Sequence, residues 1–565
     1  MTVDIETEAL QEIEELRGNI QRFRAGELPL DEFRPRRTLY GVYGQRQQER
    51  YMVRVRIPQG RLSPDQLDTC ANVAVRFAPG FAHITTRQDM EYHFLLLEDV
   101  PPLLRELANV GIGTRDAGGN IVRNVTCDPL SGVCPDAVFD VTPHADALAR
   151  HFHRNPVSQD MPRKIKIAFS GCPCDHALTW VHDIGAQAAI SDGRRGFRVL
   201  VGGGLGALPR AADVLEEFVP EEELVPLSEA VIRVFQRTGD RQRKQKARLK
   251  FVLDRLGVEE FRRLVREERQ AMGERPIAPE TQADLEERAP APASAPPKAK
   301  PSSEYDRWRS ICVIPQKQAG FAVVAVALPA GKITAGQLRA LADVARGFGL
   351  RARATIEQNI TLRWAREEHL PALHAAFAEH GLARPTAGTL LDPVACPGAE
   401  TCGSAITNGK ALGRALIAHL EQAGNPEDAA AQQIKVKISG CTNACGQHHV
   451  ADIGLYGGAL HVNGRLLPVY HLQVNSDGFG QLLARVPAHR VPEAIAALAD
   501  DYRSRRRSGE SFRSFAGRAG LSELRAAIDP LLTPPAFAED PTAYVDWEAT
   551  KLFSLDERGE GECAV

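Results

Sequence analysis

Apolar and polar positions alternate in YMVRVRIP from Tyr51, where Val53, Val55 and Ile57 are separated by Arg54 and Arg56. A period of two marks a half-buried strand, because successive side chains of an extended chain point to opposite faces. The spacing then turns helical through SPDQLDTCANVAVRF, with Ser63 placed as its N-cap. HITTRQ and EYHFLLL read as two further short strands, and VPPLLRELANVG as a second helix. The same order returns later: a strand at AVVAVAL, a helix from Thr334, strands around RARATIEQ and ITLRW, and a helix through HLPALHAAFAEHG.

The recurrence extends to single residues. Gly60 matches Gly331 and Gln66 matches Gln337 at an offset of 271; Gln88 matches Gln358 at 270; Cys127, Cys172 and Gly185 match Cys396, Cys441 and Gly454 at 269. An offset held this closely identifies an internal duplication. Each copy opens with a strand–helix–strand–strand–helix half, which predicts two small α+β sheets related by a pseudo-twofold, each followed by a larger region. ERAPAPASAPPKAKPSS lies between the copies and has too few large apolar residues to pack, so it reads as a linker.

Composition narrows the class. A chain of 565 residues with 43% hydrophobic content fills several cores, and a net charge of −3 gives no polyanion-binding signal, so no nucleic-acid partner is expected. The longest apolar run, GFAVVAVALPAG, is too short for a bilayer span, and the acidic, amphipathic start is unlike a targeting signal. Eleven cysteines, an odd number, suit a reducing compartment rather than a disulfide framework. The expectation is a cytoplasmic protein with no membrane partner.

Four of those cysteines carry the chemistry. Cys396 and Cys402 form a C-x5-C pair in DPVACPGAETC, and Cys441 and Cys445 a C-x3-C pair in ISGCTNACGQ. Four thiolates among small residues suit an iron–sulfur cube or zinc; zinc favours tighter pairs, so the spacing points to the cube. In the first copy the places matching Cys402 and Cys445 hold Val133 and His176. Cys127, Cys134, Cys172 and Cys174 therefore read as duplication remnants and small core residues, a second metal site being the alternative.

These segments resemble the cluster motifs of siroheme-containing nitrite and sulfite reductases, and the likeness runs from about Gly41 onward. It implies siroheme and a 4Fe–4S cluster as cofactors, with Cys445 bridging the cube to the siroheme iron. It also implies roles for Arg87 in TTRQ, Arg123 in IVRNVTC, and Lys164 and Lys166 in MPRKIKIAFSG, as basic residues that bind an anionic substrate and relay protons. On pattern alone these four would be surface or ion-paired charges. Lys164 and Lys166 stand two apart in an extended segment and so face one way. The K-x-K spacing is similar to the sulfite reductases, where ferredoxin-dependent nitrite reductases typically carry asparagine second.

The fold class expected is α+β and internally duplicated. Two ferredoxin-like half-domains (46–115 and 306–385) form a pseudo-twofold unit, joined to two siroheme/4Fe–4S-type α/β domains (116–280 and 386–535). An N-terminal extension (1–45), a linker (281–305) and a tail (536–565) complete it. Gln88, Gln358, Asn359, Asn443, Arg54 and Arg56 are candidates to hydrogen-bond siroheme carboxylates, with structural roles as the alternative. Gly202, Gly203, Gly204 and Gly206 do not give a dinucleotide fingerprint, and are expected to flank the macrocycle. Of His448 and His449, taken as adjacent strand residues, at most one would face a metal. The tail GEGECAV, with Cys563, is expected to be mobile and exposed.

The activity expected is assimilatory reduction of sulfite to sulfide. Nitrite reduction to ammonia on the same cofactors is the alternative, and a non-catalytic iron–sulfur redox sensor the alternative of another class. A dissimilatory sulfite reductase subunit would carry an inserted ferredoxin domain, and none is visible. No flavin or nicotinamide domain fits in the remaining sequence, so the electron donor is expected to be ferredoxin or a separate flavoprotein reductase.

Overall fold

The computed structural model describes residues 5–273, 277, 289–293, 299–424, 428–559 and 561–562. Four five-stranded sheets form the frame. In spatial order the first comprises Val42–Gly44, Tyr51–Val55, Met90–Leu95, Phe81–Ile84 and Lys332–Thr334, the last contributed by the other copy. Its partner comprises Val313–Pro315, Phe321–Val326, Ile360–Arg366, Arg351–Ala354 and, reciprocally, Arg61–Leu62. The strands Val42–Gly44 and Val313–Pro315 and the exchanged pair are too short to show periodicity, and so escape a reading of the pattern.

The exchange explains one matched glycine pair. Gly60 and Gly331 both have positive φ (71° and 72°), and a Cβ on them would sit 2.3 Å from the Ala354 carbonyl oxygen and 2.6 Å from that of Ile84. Only glycine allows each turn to meet the backbone of the opposite half. Beyond each turn the matched helices Pro64–Phe77 and Ala335–Phe348 start with the same reciprocal capping box, Ser63 with Gln66 and Thr334 with Gln337. Arg346 on the second helix bonds Asp65 and Asp68 on the first, and one apolar core runs through both halves. The N-terminal helix Ile5–Arg24 adds Ile13, Leu16 and Ile20 to that core.

The two larger sheets share one order. Thr126–Cys127, Ile167–Ser170 and Ile184–Ser191 are parallel neighbours, and Arg194–Val201 and Asp213–Pro220 continue antiparallel. The second copy repeats this with Val394–Ala395, Val436–Ser439, Ile453–Val462, Arg465–Val474 and Gln481–Pro487. Each packs its own core. Loops leaving the C-terminal ends of the parallel strands carry Cys172 in one copy and Cys396 and Cys441 in the other, the usual address for a ligand in an open sheet. Among the described residues, no helix is long and apolar enough to cross a membrane.

Candidate active site

Cys396 leaves Val394–Ala395, and Cys441 and Cys445 follow Val436–Ser439, so parallel pairing of these strands brings the two motifs together. Gly440 separates strand from cluster loop; a Cβ there would meet the Thr407 carbonyl oxygen at 2.5 Å. Its N–H donates to Cys396 Sγ at 3.1 Å. Burial and the charges of Cys445, Cys441 and Cys402 push the Cys396 thiol well above its ordinary range, and burial with Cys445 takes Cys441 up to about 11. Thiols that resist ionisation in one another's company are a natural cradle for cationic iron. Among the described residues, the trio whose donor atoms crowd within 4.8 Å, as a single ion demands, lies elsewhere. The four sulfurs suit a cluster rather than one zinc ion.

All four cysteines line one cavity that opens to solvent, and its other wall comes from the first copy. Thr86 ties the two together by donating from its hydroxyl to the Cys445 carbonyl oxygen at 2.9 Å. Arg87, Arg123, Lys164 and Lys166 all line this wall. The lysines precede the strand Ile167–Ser170, and Ile165 between them bridges Val122 and is buried, so the two ammonium groups share the cavity side. Arg87 reaches Thr126 Oγ1 at 3.3 Å and the Asn124 carbonyl, and Arg123 reaches the Gly119 and Ala117 carbonyls at 3.0 and 2.9 Å. Neutral oxygens therefore position both guanidinium groups without cancelling their charge. Burial lowers Arg87 to about 10 against the pull of Asp89 and Asp183, with Arg123 and Arg248 adding smaller repulsions. Burial, then Arg87 and Arg248, brings Lys166 down to about 7, in the range where a lysine both gives and takes protons.

The remaining candidates divide. Arg54 and Asn443 line the cavity, Arg54 being paired with Glu91 at 2.9 Å. Gln358 borders it, but its amide is committed: Nε2 donates to the Ile84 and Ala395 carbonyls, and Oε1 accepts from Ala395 N–H at 2.7 Å. Gln88 does the same in the other copy, spanning Cys127 and Ala354, and lies off the cavity wall. Both are clasps between half-sheet and larger domain rather than carboxylate ligands. Asn359 is buried on Asp392 and Leu328 N–H, and Arg56 turns away to His153 and the Ala149 carbonyl.

Three other readings are corrected by the fold. His448 and His449 lie in a 3-10 turn, not a strand, and both are buried, on Ser439 Oγ at 2.9 Å and the Gly206 carbonyl at 2.8 Å. Neither borders the cavity. The glycine run 202–206 does not border it either; a Cβ on Gly203 would meet the His182 and Trp180 carbonyl oxygens at 2.6 Å, so chain packing accounts for it. Gly561 and Glu562 of the tail line the cavity, where the Glu562 carboxylate binds buried Arg37 at 2.7 Å and Gly44 N–H at 2.6 Å. Cys563 lies outside the described residues.

The sequence reading missed several wall residues: His83, His93, Asp89 and Glu91, all buried. Burial lowers both histidines, which are neutral at pH 7, and raises Asp89 to about 6 against the pull of Arg54 and Arg87. Arg54 and His93, outweighing burial, hold Glu91 well below the carboxylate range. Alternation in MEYHFL was the available signal: Glu91 and His93 share one strand face.

Comparison with known proteins places these features in a family. Residues 118–272 and 386–533 match the description "Nitrite and sulphite reductase 4Fe-4S domain", and 43–110 and 314–380 match "Nitrite/Sulfite reductase ferredoxin-like half domain". The chain is 31% identical over 542 residues to the assimilatory ferredoxin-dependent nitrite reductase of Haloferax mediterranei, covering 89% of this chain and 88% of that one. It is 30% identical over 487 residues to sulfite reductase [ferredoxin] 1 of Mycolicibacterium paratuberculosis, covering 84% and 83%. The solved structure of the Mycobacterium tuberculosis NirA protein superposes with a TM-score of 0.77 at 26% identity, covering 93% and 98%.

Proposed function

Because the chain belongs to the nitrite and sulfite reductase family, oxidoreductases that use siroheme and a 4Fe–4S cluster, we propose that its substrate is sulfite, reduced to sulfide. The balanced change takes one sulfite, six electrons and seven protons to one hydrosulfide and three waters. The observation that carries this reading is Lys166: a second ammonium beside Lys164, on the same wall as Arg87 and Arg123. Three or four cations around one small volume suit a dianion better than a monoanion.

The residues present fit both cofactors. Cys396, Cys402, Cys441 and Cys445 would hold the cube, with the Gly440 N–H on one sulfur. Arg54 and Asn443 face the space a polycarboxylate macrocycle would fill, and Arg87 Nε is buried there without a protein partner. When bound, siroheme supplies the iron on which the anion is reduced, and the cluster supplies its electrons. The chain does the rest. Arg87 and Arg123 orient the anion and stabilise charge through donors that need no rearrangement. Lys164 and Lys166 hydrogen-bond its oxygens and hand over the protons that leave with them as water. Asp89, at about 6, is the nearby carboxyl suited to reload that supply. Ferredoxin is the donor we favour, because both the nitrite and the sulfite reductases among the relatives carry it in their names.

Nitrite is the second reading, favoured by the name of the Haloferax relative. Steady-state turnover of the anaerobically purified enzyme with reduced ferredoxin separates the two. We expect higher kcat/KM for sulfite, with sulfide as product; a higher value for nitrite, with ammonium formed, would overturn the assignment.

A further inference from the structure

The pseudo-twofold counterpart of the cluster site is not a scatter of leftover cysteines. Cys172 matches Cys441, His176 matches Cys445, and Cys134 follows Val133, the match of Cys402. The fold brings Cys134, Cys172 and His176 together with their donor atoms all within 4.8 Å of one another. Asp128 backs two of them: its Oδ2 lies 3.4 Å from Cys172 Sγ and 3.3 Å from His176 Nδ1, and Cys172 Sγ is 3.4 Å from that nitrogen. The two cysteines expected to complete a second cluster are elsewhere. Cys127 is buried toward Thr142 and Arg353, and Cys174 is exposed.

We propose that Cys134, Cys172 and His176 form a second, mononuclear metal site that binds zinc. Two sulfurs and an imidazole nitrogen make a three-residue shell in the preferred chemistry of that ion, with a water to complete the tetrahedron and the Asp128 carboxylate beside it to orient the imidazole. A tetrahedron with arms of about 2.0–2.3 Å has edges of about 3.3–3.8 Å; the Cys172 Sγ–His176 Nδ1 edge is 3.4 Å, and every separation within the trio is under 4.8 Å.

The surroundings bury the sulfurs and leave the imidazole side partly open to solvent. Asp128 and the two cysteines are buried, and Leu130, Val133, Val323 and Trp364 pack around the sulfurs. Asp128 spends its other oxygen on Leu130 N–H at 2.8 Å, which aims Oδ2 at the thiol and imidazole. Binding releases the two thiol protons and joins the loop at 128–134 to the turn at 172–176. The two copies thus diverge in metal while keeping the address: a redox cube in one, an ion without redox chemistry in the other. A zinc ion there pins the loop between the strand Ile167–Ser170 and Asp175 without offering electrons a second destination.

The test uses the full-length holoenzyme, produced with added zinc chloride and washed with a mild chelator. Elemental analysis should return about one zinc beside about five irons per chain, four in the cube and one in siroheme. X-ray absorption at the zinc edge should show two sulfurs near about 2.3 Å and two lighter neighbours near about 2.0 Å. The double variant Cys134→Ser/Cys172→Ser should lose the zinc with iron content and siroheme spectrum unchanged. If that variant does not fold, the wild-type absorption spectrum decides alone. Absence of zinc would overturn the proposal, as would four sulfurs around it, which would place the ion on the cluster thiols. So would a Cys134–Cys172 disulfide in unreduced peptide maps, or about eight iron atoms per chain falling on substitution, the mark of a second cluster.

Discussion

Replacing Lys166 with asparagine isolates the residue on which the choice of anion rests. Lys166 lines the cavity half-buried beside Arg87 and titrates at about 7, so near neutral pH it is charged about half the time. A unit charge about 4 Å from a monoanion, at an effective dielectric of about 20, is worth ~4 kcal/mol, and about twice that against a dianion. Partial protonation and the hydrogen bond that asparagine keeps both reduce the observable part. We expect Lys166→Asn to lower kcat/KM for sulfite at least tenfold, ~1.4 kcal/mol, and that for nitrite by less than about threefold. The pH dependence has a definite sign. Folding lowers the pKa of Lys166, so its charge is lost as pH rises through about 7, and wild-type efficiency with sulfite should decline across that point. Titration of sulfite itself is common to both proteins and cancels in the ratio of variant to wild type, which should rise with pH. Anaerobic turnover with reduced methyl viologen, on samples matched by siroheme absorbance, gives both efficiencies. An unchanged sulfite-to-nitrite ratio and parallel pH profiles, with cofactor spectra intact, would refute the reasoning.

Cys445→Ser should damage cluster and siroheme coupling together, because this cavity-facing thiol is the proposed bridge; full coupling in its electron paramagnetic resonance spectrum would remove that assignment. Gln88→Ala should cost about 3 kcal/mol in denaturant melts, since it leaves one buried N–H and two buried carbonyls unpaired between the copies, while siroheme per folded chain stays constant. Glu562→Gln should cost about 3 kcal/mol, because Arg37 is only 1% exposed and would keep its charge without a counterion. Despite burial, Arg37 depresses the Glu562 pKa, so this stability is present above the ordinary carboxylate pKa and is lost as pH falls through the lower folded value; the variant's melting temperature should not show that acid-side loss.

Much of this protein is legible along the chain, for a physical reason. Strand and helix periods are local, so YMVRVRIP and the capped helices after Ser63 and Thr334 announce themselves, and duplication doubles each signal. The four candidate cluster cysteines stand out because the spacing of thiols and small residues in each motif is itself local. Lys164 and Lys166 share a side because residues two apart in an extended segment always do. What the chain alone leaves open is which distant groups meet. Gln88 and Gln358 look equally fit to bind a cofactor or a backbone; only the approach of each half-sheet to the larger domain makes them clasps. His448 and His449 were separated by an assumed strand, and the 3-10 turn buries both. Glu562 finds Arg37 across more than five hundred residues, and Asp128 finds Cys172 and His176 through a loop that no periodicity encodes. Periodicity is set by bonds between neighbours, whereas these encounters depend on packing between whole sheets, and there the tertiary structure alone decides.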